Sequence, residues 1–102
     1  MNLSQIIFGH AFEKLRKEAQ LKWGGRKNWP NIFQVGYHIR NGCFHGNKFD
    51  FTVPILGTPS WRGLTITNLL QGNDVMGLHN GVLYFGDIPI LLSELQTELQ
   101  TV

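Results

Sequence analysis

Apolar residues recur at three- and four-residue spacing from Ser4 to about Trp23. Phe8, Ala11, Phe12, Leu15 and Ala19 define one face and Ile7 widens it, which is the period of an amphipathic helix. Ser4 is a candidate N-cap and Gly24-Gly25 a strong stop. On the polar side, Glu13 with Lys17 and Lys14 with Glu18 are opposite-charge pairs four residues apart. A second helical pattern starts around Pro30, a residue suited to a first helical turn, with Asn28 as a candidate cap. One of its faces carries Ile32, Val35, Ile39 and Cys43, a neighbouring face Phe33, Tyr37, Arg40 and Phe44, and a third face the polar series Gln34, His38, Asn41 and His45. A helix apolar on two sides must be covered on two sides. With one long helix before it, part of the cover is expected from the C-terminal helix or from a second subunit.

After Gly46 the pattern breaks. Residues 47–60, with Pro54, Gly57 and Pro59, read as an ordered loop in which Phe49–Val53 is a short strand candidate. Trp61–Thr67 alternates as a brief strand, with Leu78–Phe85 as its expected hairpin partner. Asp87 is the expected cap of a last helix, Ile88 to about Leu99, in which Pro89 is tolerated in the first turn and Ile88, Leu91, Leu92, Leu95 and Leu99 form the buried stripe. The resulting fold class is mainly α, a small helical bundle with a short β-hairpin or loop insertion between the second and last helices.

Composition narrows this picture modestly. The 102 residues, 42% of them apolar, make one domain with a small core and no repeat. The single cysteine, Cys43, excludes an internal disulfide and suits a reducing, cytoplasmic setting. The apolar runs are too short to span a membrane, and the N-terminus lacks the basic start of a signal peptide. A net charge of +2 permits nucleic acid as a partner without demanding it. The cations of the first 27 residues read first as an ordinary solvated face balanced by glutamates, and second as a phosphate-facing surface.

The chemistry concentrates at Arg40-Asn41-Gly42-Cys43-Phe44-His45-Gly46, the end of the second helix. It combines a permanent cation able to bind phosphate bidentately, an amide, and an imidazole that exchanges protons near neutral pH. A structural alternative reads Arg40 and His45 as groups serving the helix C-terminus. His38, Cys43, His45, His10 and His79 do not form a recognised metal-ligand spacing, so no metal is assigned, and no phosphate-binding glycine loop calls for a nucleotide cofactor.

Arg40-Asn41-xxx-His45, ending an apolar helix and followed by Gly46, resembles the RNxxxH form of the motif that defines HEPN domains. The later Trp61-Arg62-Gly63 and the Gly86-Asp87 start of a leucine-rich closing helix are similar to one bacterial branch of that family. The resemblance spans roughly residues 28 to 100. It implies a small helical bundle, here with one helix before the motif helix where the family usually has at least two. It also implies a metal-independent, cofactor-free endoribonuclease that cuts RNA where two motifs meet across a homodimer. On that reading His45 is general base or acid, Arg40 clamps the phosphate and Asn41 positions the phosphate or the imidazole. Tyr37 and His38 are the candidate substrate-binding residues, taken chiefly as walls of the site, with base stacking on Tyr37 the weaker reading. The setting it implies is a toxin or phage-defence protein, with a nucleotidyltransferase-like antitoxin as partner. The alternative is a catalytically silent HEPN-like module that dimerises or binds RNA.

Overall fold

A computed structural model describes residues 3–77 and 81–101. The chain is mainly helical, with α1 (Leu3–Trp23), α2 (Asn31–Phe44) and α3 (Asp87–Gln100), and with one small hairpin of β1 (Ser60–Trp61) and β2 (Leu64–Thr65). α1 and α2 pack antiparallel: Phe44 lies over Gly9, Arg40 reaches Glu13 and Phe12 covers Gly36. α3 runs in the same direction as α1. Their C-terminal ends are joined by Lys22, whose ammonium donates to the Leu99 carbonyl at 2.6 Å and to the Thr101 carbonyl, satisfying acceptors that a helix end leaves open. One continuous core results, built on Phe8, Phe12, Phe33, Val35, Ile39, Leu91 and Leu95 from the helices and on Phe49, Ile66 and Val75 from the connection.

Local chemistry explains each boundary. Gly24 ends α1 at φ +83°, a left-handed conformation that only glycine adopts without a Cβ penalty. Pro30 stands one residue before α2, and its carbonyl accepts from the Phe33 and Gln34 N–H groups. At α3, Asp87 is the first residue rather than the cap, and its carboxylate reaches back to accept from the Tyr84 N–H at 2.9 Å. α1 begins at Leu3, so Ser4 lies within its first turn. Ile7, expected on the buried face, is half exposed, and the interior position goes to Gln5. Glu13 also departs from expectation: it pairs with Arg16 three residues on in α1 and with Arg40 across the helix interface, rather than with Lys17.

The second half of the chain differs most from the pattern read in the sequence. Trp61 pairs with Leu64 and not with the 78–85 segment, because Arg62 and Gly63 turn the chain at φ +48° and +84°, as a two-residue hairpin requires. Leu78, with residues 79–80, lies outside the described residues, while Leu83 bridges Met76 in parallel. Phe49–Val53 is not a strand. Phe49 exchanges backbone bonds with Gly72 and Asn73, but the chain then bends where the Thr52 N–H donates to the Asp50 carboxylate.

These loops solve the covering problem of α2 within one chain. Phe51 packs edge-on against His38, Arg26 donates to Gln34 and to the Pro54 carbonyl, and Asn31 bonds Ser60 in both directions. The expected polar face of Gln34, His38 and Asn41 is therefore buried, at 5%, 1% and 8% exposure. The connection supplies the wall on that side, and α3 supplies part of the remaining cover, as expected of the last helix, with Leu95 packed against Gly36.

Candidate functional site

The end of α2 is fixed by three consecutive backbone devices. The His45 N–H donates to the Gly42 carbonyl at 3.1 Å, closing the helix with φ −109° at His45. Gly46 follows at φ +69°, the left-handed conformation expected of it, and Asn47 repeats the hand at φ +64°. Asn47 then clips onto the chain 29 residues later. Its Nδ2 donates to the Met76 carbonyl at 2.8 Å and its Oδ1 accepts the Met76 N–H at 3.0 Å. Beneath this corner Gly42 allows close approach: a Cβ there would stand 2.3 Å from a methyl of Val75.

The motif side chains divide between two surfaces. Arg40 faces α1, with Nε 2.8 Å from the Glu13 carboxylate, Nη1 donating to Asn41 Oδ1 at 3.0 Å, and the guanidinium 4.8 Å from the centre of the Phe44 ring. His45 faces the loop, its Nδ1 3.7 Å from Asp50 Oδ2. The imidazole is 55% exposed and the Arg40 side chain 26%. Among the described residues no hydrogen bond or ion pair joins Arg40 to His45 within the chain. Five residues along a helix turn the second side chain well away from the first. Asn41, one turn before His45, is buried and serves Arg40.

The two candidate substrate-binding residues are placed differently from a binding surface. His38 is sealed from solvent, edge-on to both Tyr37 and Phe51 at 5.3 Å. Burial, assisted by the Arg26 guanidinium, pulls its pKa from 6.5 down to about 4, because the charged form loses hydration and meets a like charge. Tyr37 carries the Arg26 guanidinium over its ring at 4.4 Å and meets the Trp29 ring edge-on. A base could not stack on that face without displacing Arg26. Both residues are thus packed as walls, continuing a series of ring contacts that runs from Phe8 through Phe12, Phe33, Trp29, Tyr37 and His38 to Phe51 and Phe49.

Cys43 is buried and its thiol is pushed up to about 12 by desolvation, which leaves it a packing residue rather than a nucleophile. Among the described residues no three His, Cys, Asp or Glu side chains gather as a metal-ligand set. Sequence reasoning missed Glu13 and Asp50, the two carboxylates that meet Arg40 and His45. Asp50 lies five residues after His45, a spacing with no regular element to give it meaning. Among the described residues no helix is long and apolar enough to cross a membrane. Comparison of the chain with known protein families, with curated proteins and with solved structures finds no match.

Proposed function

We propose that this chain is a metal-independent endoribonuclease of the HEPN type, acting as a homodimer. One observation carries the reading. Along α2 and its C-cap, the motif residues Arg40 and His45 reach solvent, while Gln34, His38 and the third motif residue, Asn41, are buried. An exposed imidazole at a rigid helix end, on the same turn-and-a-half as a partly exposed guanidinium, suits proton transfer and charge stabilisation at a phosphodiester. One imidazole takes the proton from a ribose 2′-OH as that oxygen attacks the adjacent phosphorus. The bond from phosphorus to the 5′-oxygen breaks, a second imidazole protonates the leaving oxygen, and a 2′,3′-cyclic phosphate remains. Arg40 holds the phosphate oxygens and Asn41 fixes the guanidinium. Two-fold symmetry would bring a second Arg40 and His45 into the same cleft, which answers the separation of the two side chains within one chain. The setting we propose is cytoplasmic, as the toxin half of a defence pair with a nucleotidyltransferase-like antitoxin.

The test is cleavage of single-stranded RNA in EDTA, with product ends identified. We expect cyclic phosphate or 3′-phosphate ends. His45→Ala should lower the rate by a factor on the order of 10² to 10⁴, and Arg40→Ala nearly as much, since water does not replace a bidentate guanidinium. Because the step uses two imidazoles in one cleft, mixed Arg40→Ala and His45→Ala subunits, which keep only one, should recover little activity. Loss of cleavage in EDTA, or its survival in His45→Ala, refutes the mechanism. The pairing of Arg40 with Glu13 favours a second reading, a silent module that binds RNA or dimerises. A folded dimer that cuts no RNA would establish that reading.

A further inference from the structure

We infer that Asp50 is a positioning residue for His45, holding the imidazole with Nδ1 toward its carboxylate and Nε2 turned outward as the proton-accepting atom. The two oxygens of Asp50 have separate duties. Oδ1 accepts the Thr52 N–H at 3.1 Å, which fixes the plane of the carboxylate, and Oδ2 faces Nδ1 of His45 at 3.7 Å. The separation is longer than a direct hydrogen bond, and contacts of this kind tighten when a substrate closes the site.

The geometry is held from both sides. Asp50 lies between two anchored phenylalanines. Phe49 is buried and bonded through its backbone to Gly72 and Asn73 at 2.9 Å, while the Phe51 N–H donates to the Gln71 side chain at 2.8 Å and its ring packs on Phe49 and His38. His45 is fixed at the helix end described above. The nearest cation in sequence, Lys48, is paired with Asp74. Among the described residues the His45 imidazole is therefore the one basic side chain that faces the Asp50 carboxylate. A half-exposed imidazole is otherwise free to turn, and neutral imidazole in water favours the proton on Nε2. A carboxylate at Nδ1 reverses that preference, as the acidic member does in a Ser-His-Asp triad.

The catalytic consequence rests on the ribonuclease reading. With its proton on Nδ1, His45 presents the Nε2 lone pair to the 2′-OH, and Asp50 stabilises the imidazolium formed when that proton arrives. The deciding experiment does not need RNA. Long-range ¹H–¹⁵N correlation of the labelled protein, with His45 assigned by its loss in His45→Gln, reads which nitrogen is protonated in the neutral ring. We expect the Nδ1–H form in the native protein and conversion to Nε2–H in Asp50→Ala. An Nε2–H form in the native protein overturns the inference, as does a tautomer unchanged in Asp50→Ala. Should Asp50→Ala fail to fold, the native tautomer still decides. In the cleavage assay Asp50→Ala should lower kcat roughly ten- to a hundred-fold, part of what a general base contributes, with KM little changed. Native Nδ1–H without any RNA cleavage would remove the ribonuclease reading and leave the positioning role intact.

Discussion

Burying His38 makes the fold acid-sensitive in a way that can be calculated and then removed by one substitution. Its folded pKa of about 4 lies below the ordinary 6.5. Between those values the unfolded chain binds a proton that the folded chain refuses. Stability from this residue is complete above pH 6.5 and falls as pH drops toward 4. At 1.36 kcal/mol per pH unit the whole interval is worth about 3 kcal/mol, most of which is lost between about pH 7.5 and about pH 4.5. His38→Leu deletes the titration while keeping an apolar side chain of similar volume. At neutral pH it forfeits the edge-on contacts with Tyr37 and Phe51, but it also removes two ring nitrogens that have no protein partner. These terms offset to within about 1 kcal/mol. Urea unfolding followed by tryptophan fluorescence at the two pH values measures the difference directly. The native protein should lose about 2–3 kcal/mol more than His38→Leu on acidification. Equal losses in the two proteins would show that His38 charges without penalty, and that Phe51 and Arg26 do not seal it.

Two glycines of the motif helix should respond to substitution for different reasons. Gly42→Ala drives a Cβ into Val75, which is wholly buried and unable to retreat, and toward the Lys48 carbonyl at 3.2 Å. We expect a loss of about 1–3 kcal/mol in chemical denaturation. Gly46→Val meets nothing within 4 Å, yet must hold φ +69°. It should cost about 1–2 kcal/mol and displace His45, seen as a changed His45 NMR signal and reduced cleavage. An unaltered melt would mean that the helix does not end there.

The helices were legible because each carries its own period and punctuation. Phe8, Phe12, Leu15 and Ala19 repeat along α1 and Gly24 stops it, while Ile88, Leu91 and Leu95 repeat along α3 behind Asp87. The hairpin is hidden in the sequence because Arg62-Gly63 is not a dipeptide that announces a tight turn. A left-handed arginine is uncommon, and alternation continues past it through Leu64 and Ile66, so the strand looked longer than it is. The motif at Arg40, Asn41 and His45 was visible as residue types at a spacing. Its partners were not, because Glu13 lies 27 residues before Arg40 and Asp50 sits in a loop whose path is set by contacts with Gly72 and Asn73. Gln34, His38 and Asn41 read as a polar stripe at helical spacing. Period alone does not say whether a polar face meets water or a loop, and here Phe51 and Arg26 cover it.

The engagement of Arg40 with Glu13 bears on whether the guanidinium can serve a substrate. Both side chains are partly open to solvent, and an exposed ion pair of this kind contributes at most about 1 kcal/mol. A charge-assisted hydrogen bond to a phosphate oxygen contributes about 1.5–3 kcal/mol, and the planar guanidinium has five donors. Nε meets Glu13 and Nη1 meets Asn41, so a phosphate can be taken on the remaining N–H groups while Asn41 keeps its bond. On the proposed reading, Glu13 acts as a light tether that keeps the long side chain against Phe44 until phosphate arrives. The same arrangement limits reach. A guanidinium held on the α1 side cannot follow a phosphate to the His45 of its own chain without abandoning both partners. A second copy presenting its His45 to this surface would avoid that cost, which ties the proposed chemistry to the proposed dimer through Arg40 itself.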